Sequence, residues 1–341
     1  MSVCLLALCM LINWPIDMHP IEKWSLDYYL GGMYFNALID HDGALVAYFD
    51  KDQAFVANIK QWKELRPQGN GPSDLFSAHA MALTREHLVV FDSNSRVKYF
   101  KKSNDGYAFD NRTYFLTPGK SFAAVSDMVL TDNALFVCGA ALGPTGFGSI
   151  TYVRSFDLQG EYIADLVSEN FGKDIAEQIQ LKRYFLKRVG TRVLYLKEDE
   201  LDAWVFDSTT TKDPKAVTRV PLEKPEFYRK RPENFYFFTK DTNLDKFHID
   251  VQKWRTGYTA ISNVATLDVY LVVQVRTNST RFRKFGLLFY DNQTLKLQHV
   301  RYTDHFLITA RANKLYLHQG GEPGMDPEAD QMIIHVLQVN N

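Results

Sequence analysis

Six polar residues, Asn36, His79, Asp127, Arg183, Asn263 and His305, each stand six to ten residues ahead of a similar apolar run. If those runs are equivalent strands of a repeated unit, the six side chains gather at one mouth of a central channel. Asn and Asp can ligate a hard cation or a polar ligand, His can move a proton near neutral pH, and Arg can hold an anion. The set is therefore the candidate ligand-binding site. As a calcium cage it is poor, because calcium takes six to eight oxygens and the set offers one Asp and two Asn among Arg and His. The same residues could also simply satisfy one another and trapped water, since buried polar groups need partners.

Other chemistry is thinly represented. There is no His-Glu-x-x-His, no Cys-x-x-Cys and no Gly-x-Ser-x-Gly, so neither a zinc site, a metal site of other kind nor a catalytic residue is assigned. Asp326, Glu328 and Asp330 copy the first positions of a calcium loop, but Gln331 stands where the loop needs Gly and Leu337 where it needs Glu. The run Lys197-Glu198-Asp199-Glu200-Leu201-Asp202 reads as a solvated turn, because catalytic carboxylates face each other across a cleft. Gly143 to Ser149 lacks the Gly-Lys-Ser/Thr ending of a phosphate loop and reads as a flexible hairpin. Lys and Arg number 39 against 40 Asp and Glu, so no charge-driven nucleic-acid partner is expected. The three cysteines, Cys4, Cys9 and Cys138, exclude a disulfide-stapled scaffold.

The elements that must position the six residues recur along the chain. Apolar strands anchored on Leu45, Leu88, Leu135, Val193, Val269 and Leu315 follow polar turns at spacings of 43, 47, 58, 76 and 46. Each is preceded by another apolar segment and followed by one or two more, as in Arg96–Phe100 and Tyr162–Val167. Cycles of about 40–50 residues with four short antiparallel strands are the signature of propeller blades. The expected fold is all-β: a six-bladed β-propeller over residues 21–341 as a single domain, with a short helix near 170–182. Aromatic residues make up 14% of the chain, in keeping with strands. The stretch from Phe227 to Phe238, aromatic and basic, reads as a linker over one face and a possible protein contact.

The run Leu88-Val89-Val90-Phe91-Asp92-Ser93-Asn94-Ser95-Arg96-Val97-Lys98-Tyr99-Phe100 resembles the NHL-type repeat: apolar strand, Asp-Ser-x-Asn-x-Arg, then strand. Arg154 to Tyr162, with Phe156-Asp157-Leu158-Gln159-Gly160, resembles the hairpin that closes such repeats. After about residue 25 the chain is similar to divergent six-bladed TolB-like propellers of bacteria. That resemblance implies a fold and leaves function open.

Residues 3–12 form an apolar run of ten within an N-terminal stretch, 1–20, that resembles a secretory signal. Export to the periplasm or cell envelope is expected, with a cytoplasmic protein as the alternative and Cys9 as a possible lipidation point. No other run is apolar enough to span a membrane. The expected function is a monomeric, non-enzymatic module that binds a protein or small-molecule ligand without a cofactor. The alternative is a lactonase-like hydrolase with a divalent cation such as calcium in the channel.

Overall fold

The computed structural model describes residues 16–26, 35–49, 53–58, 61–64, 71, 73–75, 78–92, 96–103, 106–143, 146–170, 183–209, 213–231, 257–277, 284–321 and 332–340. The apolar run 3–12 and the Asp326–Asp330 cluster lie outside them. The outermost strand, β1 (Asp17–Leu26), begins inside the stretch 1–20.

Five four-stranded sheets each take consecutive strands. The first holds β2 (Phe35–Ile39), β3 (Leu45–Phe49), β4 (Gln53–Asn58) and β5 (Gln61–Glu64). The second holds β6 (Ala78–Leu83), β7 (His87–Asp92), β8 (Arg96–Ser103) and β9 (Gly106–Phe115). The third holds β10 (Ala124–Leu130), β11 (Leu135–Gly143), β12 (Gly146–Phe156) and β13 (Tyr162–Asn170). The fourth holds β14 (Tyr184–Val189), β15 (Arg192–Lys197), β16 (Asp202–Asp207) and β17 (Thr218–Pro221), and the fifth β18 (Ile261–Thr266), β19 (Tyr270–Arg276), β20 (Phe285–Asp291) and β21 (Leu297–Thr303). The closing sheet joins both ends of the chain: β22 (Phe306–Arg311), β23 (Lys314–His318) and β24 (Met332–Asn340), with β1 added outside β24. Every pairing is antiparallel.

The first strands β2, β6, β10, β14, β18 and β22 touch in a closed circuit, each against the next and β22 against β2. Four-stranded meanders arranged around an axis in this way form a β-propeller. Adding β1 from the other terminus outside β24 completes the four strands of the closing sheet and ties the chain ends together.

The sequence builds this through its second strands. β7, β11, β15, β19 and β23 are almost wholly buried, being covered by neighbouring sheets on both faces, so they read as continuous apolar runs. The core is split accordingly, with one apolar cluster at each junction between neighbouring sheets. Aromatic rings fill the widening gap: between the third and fourth sheets Phe136 meets Phe206 at 5.3 Å and Tyr152 meets Tyr184 at 5.2 Å between centroids.

Two expectations need correction. Val269 lies in the turn ahead of β19 and is exposed; Leu271 fills the buried place equivalent to Leu88 and Leu135. The start of the expected helix near 170–182 is strand, since β13 runs to Asn170, while 171–182 lie outside the described residues. Among the described residues the one helical element is a single 3-10 turn, η1 (Pro214–Ala216). The hairpin read in Gly143 to Ser149 does form, with Gly143 opposite Gly146.

The repeat's turn chemistry is visible in the third sheet. Asp157 Oδ1 accepts the amides of Gln159 and Glu161 at 2.8 and 2.9 Å, and Gly160 takes φ +87°, a left-handed conformation that a Cβ would strain.

Candidate functional site

Asp127 and Asn263 occupy the same register in two different sheets. Asp127 lies opposite Cys138 and Asn263 opposite Gln274, each one residue after a β-bulge in the first strand. Each side chain accepts the amide of its own successor and reaches across to the first strand of the next sheet. Asp127 Oδ2 accepts Leu186 N–H at 3.1 Å and the Lys187 ammonium at 2.6 Å. Asn263 Nδ2 donates to the carbonyls of Leu307 and Ile308 at 2.8 and 2.9 Å. Beside it, Gln274 donates to His305 O and accepts Leu307 N–H, at 2.9 and 2.8 Å. These residues stitch neighbouring sheets together, at two separate junctions. Asp127→Ala is expected to cost about 1–3 kcal/mol by leaving the Leu186 amide unpaired. Hydrogen exchange at Leu186 is the measurement, and unchanged protection would contradict the assignment.

Three of the other four expected site residues, His79, Arg183 and His305, lie out of that register. In the second sheet the residue equivalent to Asp127 is Ala80, opposite Phe91; His79 is the extra residue of the bulge and is exposed. A count of nine, which reaches the equivalent residue Asn36 across the five-residue turn 40–44, overshoots by one across the four-residue turn 84–87. Arg183 stands just before β14 and its backbone N–H donates to Glu198 Oε2 at 2.9 Å. Asn36, in β2 opposite Tyr48, does share the register of Asp127 and Asn263, and its side chain lies outside the described set.

His305, half-buried just before β22, stacks on His335 of β24 with ring centroids 4.7 Å apart and planes 4° from parallel. His335 Nε2 lies 3.0 Å from Gln319 Oε1. Burial lowers both imidazole pKa values below the ordinary 6.5, and for His335 the neighbouring His305 and Lys23 lower it further. Stability from the neutral pair is therefore complete above about pH 6.5 and drains as pH falls through the depressed folded-state values. The guanidinium midpoint is expected to fall between pH 7.5 and 5.5, and to fall less in His335→Gln; equal slopes would refute this.

Sequence reasoning missed the most heavily charged feature. The supposed solvated turn is buried at Lys197, Glu198 and Asp199. Glu198 Oε1 lies 3.0 Å from Arg276 Nη2, with both side chains no more than 4% exposed. Asp199 Oδ2 accepts from Arg231 at 2.5 Å, while Lys197 contacts Glu169 and lies over the rings of Trp204 and Tyr152. Tyr152, Tyr184 and Tyr195 stack below it, and burial pushes their phenol pKa values well up. These groups sit where first strands begin and second strands end, the same mouth the sequence indicated. They are carried by the second strand and by residues 229–231 rather than by the first strand. The available signal was that the turn continues a fully apolar strand, β15.

Two open depressions lie on the surface of the described residues. One of about 390 Å³ lies between the fourth and fifth sheets, floored by Val205, Phe206, Val220 and Leu295. The other, of about 1070 Å³, is edged by His41, Asp42, Arg85, Lys101 and Lys102, with the Lys102 ammonium held by Asp40 and Asp42.

No protein-family model and no curated protein sequence matches the chain. Among solved structures it is similar to BamB from Moraxella catarrhalis, at 10% identity and a TM-score of 0.44, over 94% of this chain and 100% of that one. It is also similar to the β-propeller domain of Cps50 (Swd1) from Myceliophteria thermophila, at 12% identity and a TM-score of 0.45, over 89% of this chain and 83% of that one. The propeller assignment rests on the sheets and their circuit. Among the described residues no helix is long and apolar enough to cross a membrane.

Proposed function

We propose that the chain is a non-enzymatic binding or scaffolding module: an exported, monomeric, six-bladed propeller of the NHL-repeat or TolB-like kind. Six four-stranded sheets and the circuit of six first strands support the blade count. The Asp92–Arg96 contact at 2.6 Å, within the NHL-like stretch, supports the repeat type.

The observation that carries the binding reading is how the polar groups at the mouth are used. Asp127 and Asn263, on which a calcium-dependent hydrolase would depend, are engaged in two different junctions. The carboxylates of Glu198 and Asp199 face guanidinium groups. A catalytic centre needs groups held ready for substrate, whereas this mouth spends them on holding blades together. Recognition then falls to outer surfaces, as it does on rigid scaffolds.

The test is crosslinking capture with the intact protein in the cells that make it, paired with lactone hydrolysis assays at increasing calcium. A stoichiometric partner and no calcium-dependent turnover are expected. Turnover that rises with calcium would overturn the reading. Fractionation of the same cells tests export.

A further inference from the structure

The strand that joins the two chain ends is held mainly by its backbone ladder. β1 has one neighbour, β24, and the ladder shifts register at Pro20, which brings no N–H. Among residues 17–25 only Trp24 is buried, packed on Tyr316 with ring centroids 5.4 Å apart. At the start of the strand, Arg301 of β21 donates to Ile16 O at 2.6 Å. A segment with few buried side chains and much exposed backbone opens at low cost.

A row of ionisable groups crosses that ladder. His335 of β24 is the direct register partner of Lys23 in β1, and His305, just before β22, stacks on His335 at 4.7 Å. His335 therefore stands between a permanent cation and a second imidazole. Side chains directly opposite in an antiparallel pair are about 4.5–5.5 Å apart at Cβ, and like charges there repel. The remaining neighbours among the described residues do little to offset this. Gln319, past the end of β23, meets His335 Nε2 at 3.0 Å and is neutral, and Gln274 of β19 meets His305 at its carbonyl. Asp304, exposed beside His305, favours the charged ring, but burial outweighs it. Glu22 turns to the opposite face, where it accepts Trp24 Nε1 at 2.9 Å. His318 pairs with Phe306 and Ile334, so it also points to the opposite face. His19, the other imidazole of β1, is exposed and faces Asp17 at 2.5 Å. Glu322, Asp326, Glu328 and Asp330 of the β23–β24 connection lie outside the described residues.

We propose that protonation of the His305–His335 stack in mild acid loosens β1 from β24 and uncovers the outer edge of the closing sheet. With both rings neutral the row carries one charge, on Lys23; with both protonated it carries three in succession. Burial keeps the folded rings below the ordinary imidazole value, and a ring freed into water regains it. The loosened state thus binds protons more readily and gains population as pH falls below about 6.5. The repulsion is relieved at β1 because β24 is paired to β23 on its other side and anchored by the buried Ile334, Val336 and Val339. The uncovered edge is a row of unpaired backbone groups, a template for an added strand. This device goes beyond the scaffold reading and does not depend on it.

The test is hydrogen exchange on the full chain, read by mass spectrometry at pH 7.5 and 5.5 and corrected for the intrinsic rate at each pH. Protection of β1 is expected to fall at least about fivefold in acid, with β11 and β12 of the third sheet little changed. Lys23→Glu puts a carboxylate opposite His335 and is expected to remove most of the fall while keeping the protection seen at pH 7.5. The double variant His305→Gln/His335→Gln is expected to abolish the fall, and His19→Gln to leave it as it is. An even loss over all sheets, protection that rises in acid, or an unchanged profile in Lys23→Glu would overturn the proposal. Lys23 is exposed, so that variant decides the matter even if the double variant does not fold.

Discussion

Arg154→Met is expected to lower the unfolding free energy by roughly 3–5 kcal/mol. Arg154 is 3% exposed, in β12, and its guanidinium is almost completely used. Nε donates to Asp165 Oδ1 at 2.7 Å, Nη1 to the carbonyls of Lys120 and Ser121 at 2.8 and 3.1 Å, and Nη2 to Leu142 O at 2.7 Å. One side chain thereby fixes the strand beside it, the hairpin at its own end and the loop leading into its own sheet. Met fills much of the volume but leaves the Asp165 carboxylate and three carbonyls without their donor, and an uncompensated charge is the costly part. Arg154→Met with Asp165→Leu is therefore expected to recover some of the loss, and Arg154→Lys little of it, since an ammonium cannot reproduce the planar fork. Equilibrium unfolding in guanidinium measures all three; a single variant within 1 kcal/mol of wild type would contradict the assignment.

The same device stands one sheet earlier. Lys98 faces Val90 and Arg154 faces Val137, two residues past Leu88 and Leu135 respectively. Lys98 is 1% exposed, and its ammonium reaches the carbonyls of Gly71 and Asp74 in the loop before β6. Burial lowers its pKa, as expected for a cation held mainly by carbonyls with Asp92 at 3.6 Å. A cation in the third strand that clamps the loop feeding its own sheet thus recurs in the second and third sheets, while Trp204 and Leu288 take that place in the fourth and fifth.

What could be read from the sequence follows from how many partners each feature needs. Leu88, Leu135 and Leu315 mark strands covered on both faces, and a run such as Leu88-Val89-Val90-Phe91 states that without reference to anything distant. The position of β1 beside β24 depends on contacts between residues at opposite ends of the chain, such as Trp24 with Ile334, and no local pattern encodes that. The polar site failed in a more instructive way. Counting from apolar runs found three residues of equal register, Asn36, Asp127 and Asn263, but the turn of the second sheet is one residue shorter than that of the first, so a count of nine fell on His79 instead of Ala80. Glu198 was misread because a charge run in isolation looks solvated, and the Arg276 that makes its burial tolerable is 78 residues away.

That distant pair gives the sharper test of what the mouth is for. Glu198 joins the fourth and fifth sheets twice over: its backbone carbonyl accepts Ile261 N–H at 2.7 Å and its Oε1 meets Arg276 at 3.0 Å. Glu198→Gln keeps the shape but leaves the Arg276 guanidinium, 4% exposed, without its carboxylate; Arg276→Met leaves the opposite charge. Each is expected to cost about 3–5 kcal/mol, because desolvation is no longer offset by the partner. The double variant removes both charges and is expected to cost well under the sum, giving a coupling of about 0.5–3 kcal/mol in a double-mutant cycle. Near-additive losses would mean that the two groups do not act as a pair. Partner capture by the double variant then separates structure from recognition. If the pair only fastens sheets, restored stability brings restored capture. If the pair itself contacts the ligand, capture stays lost in a folded protein, and the binding surface is the mouth.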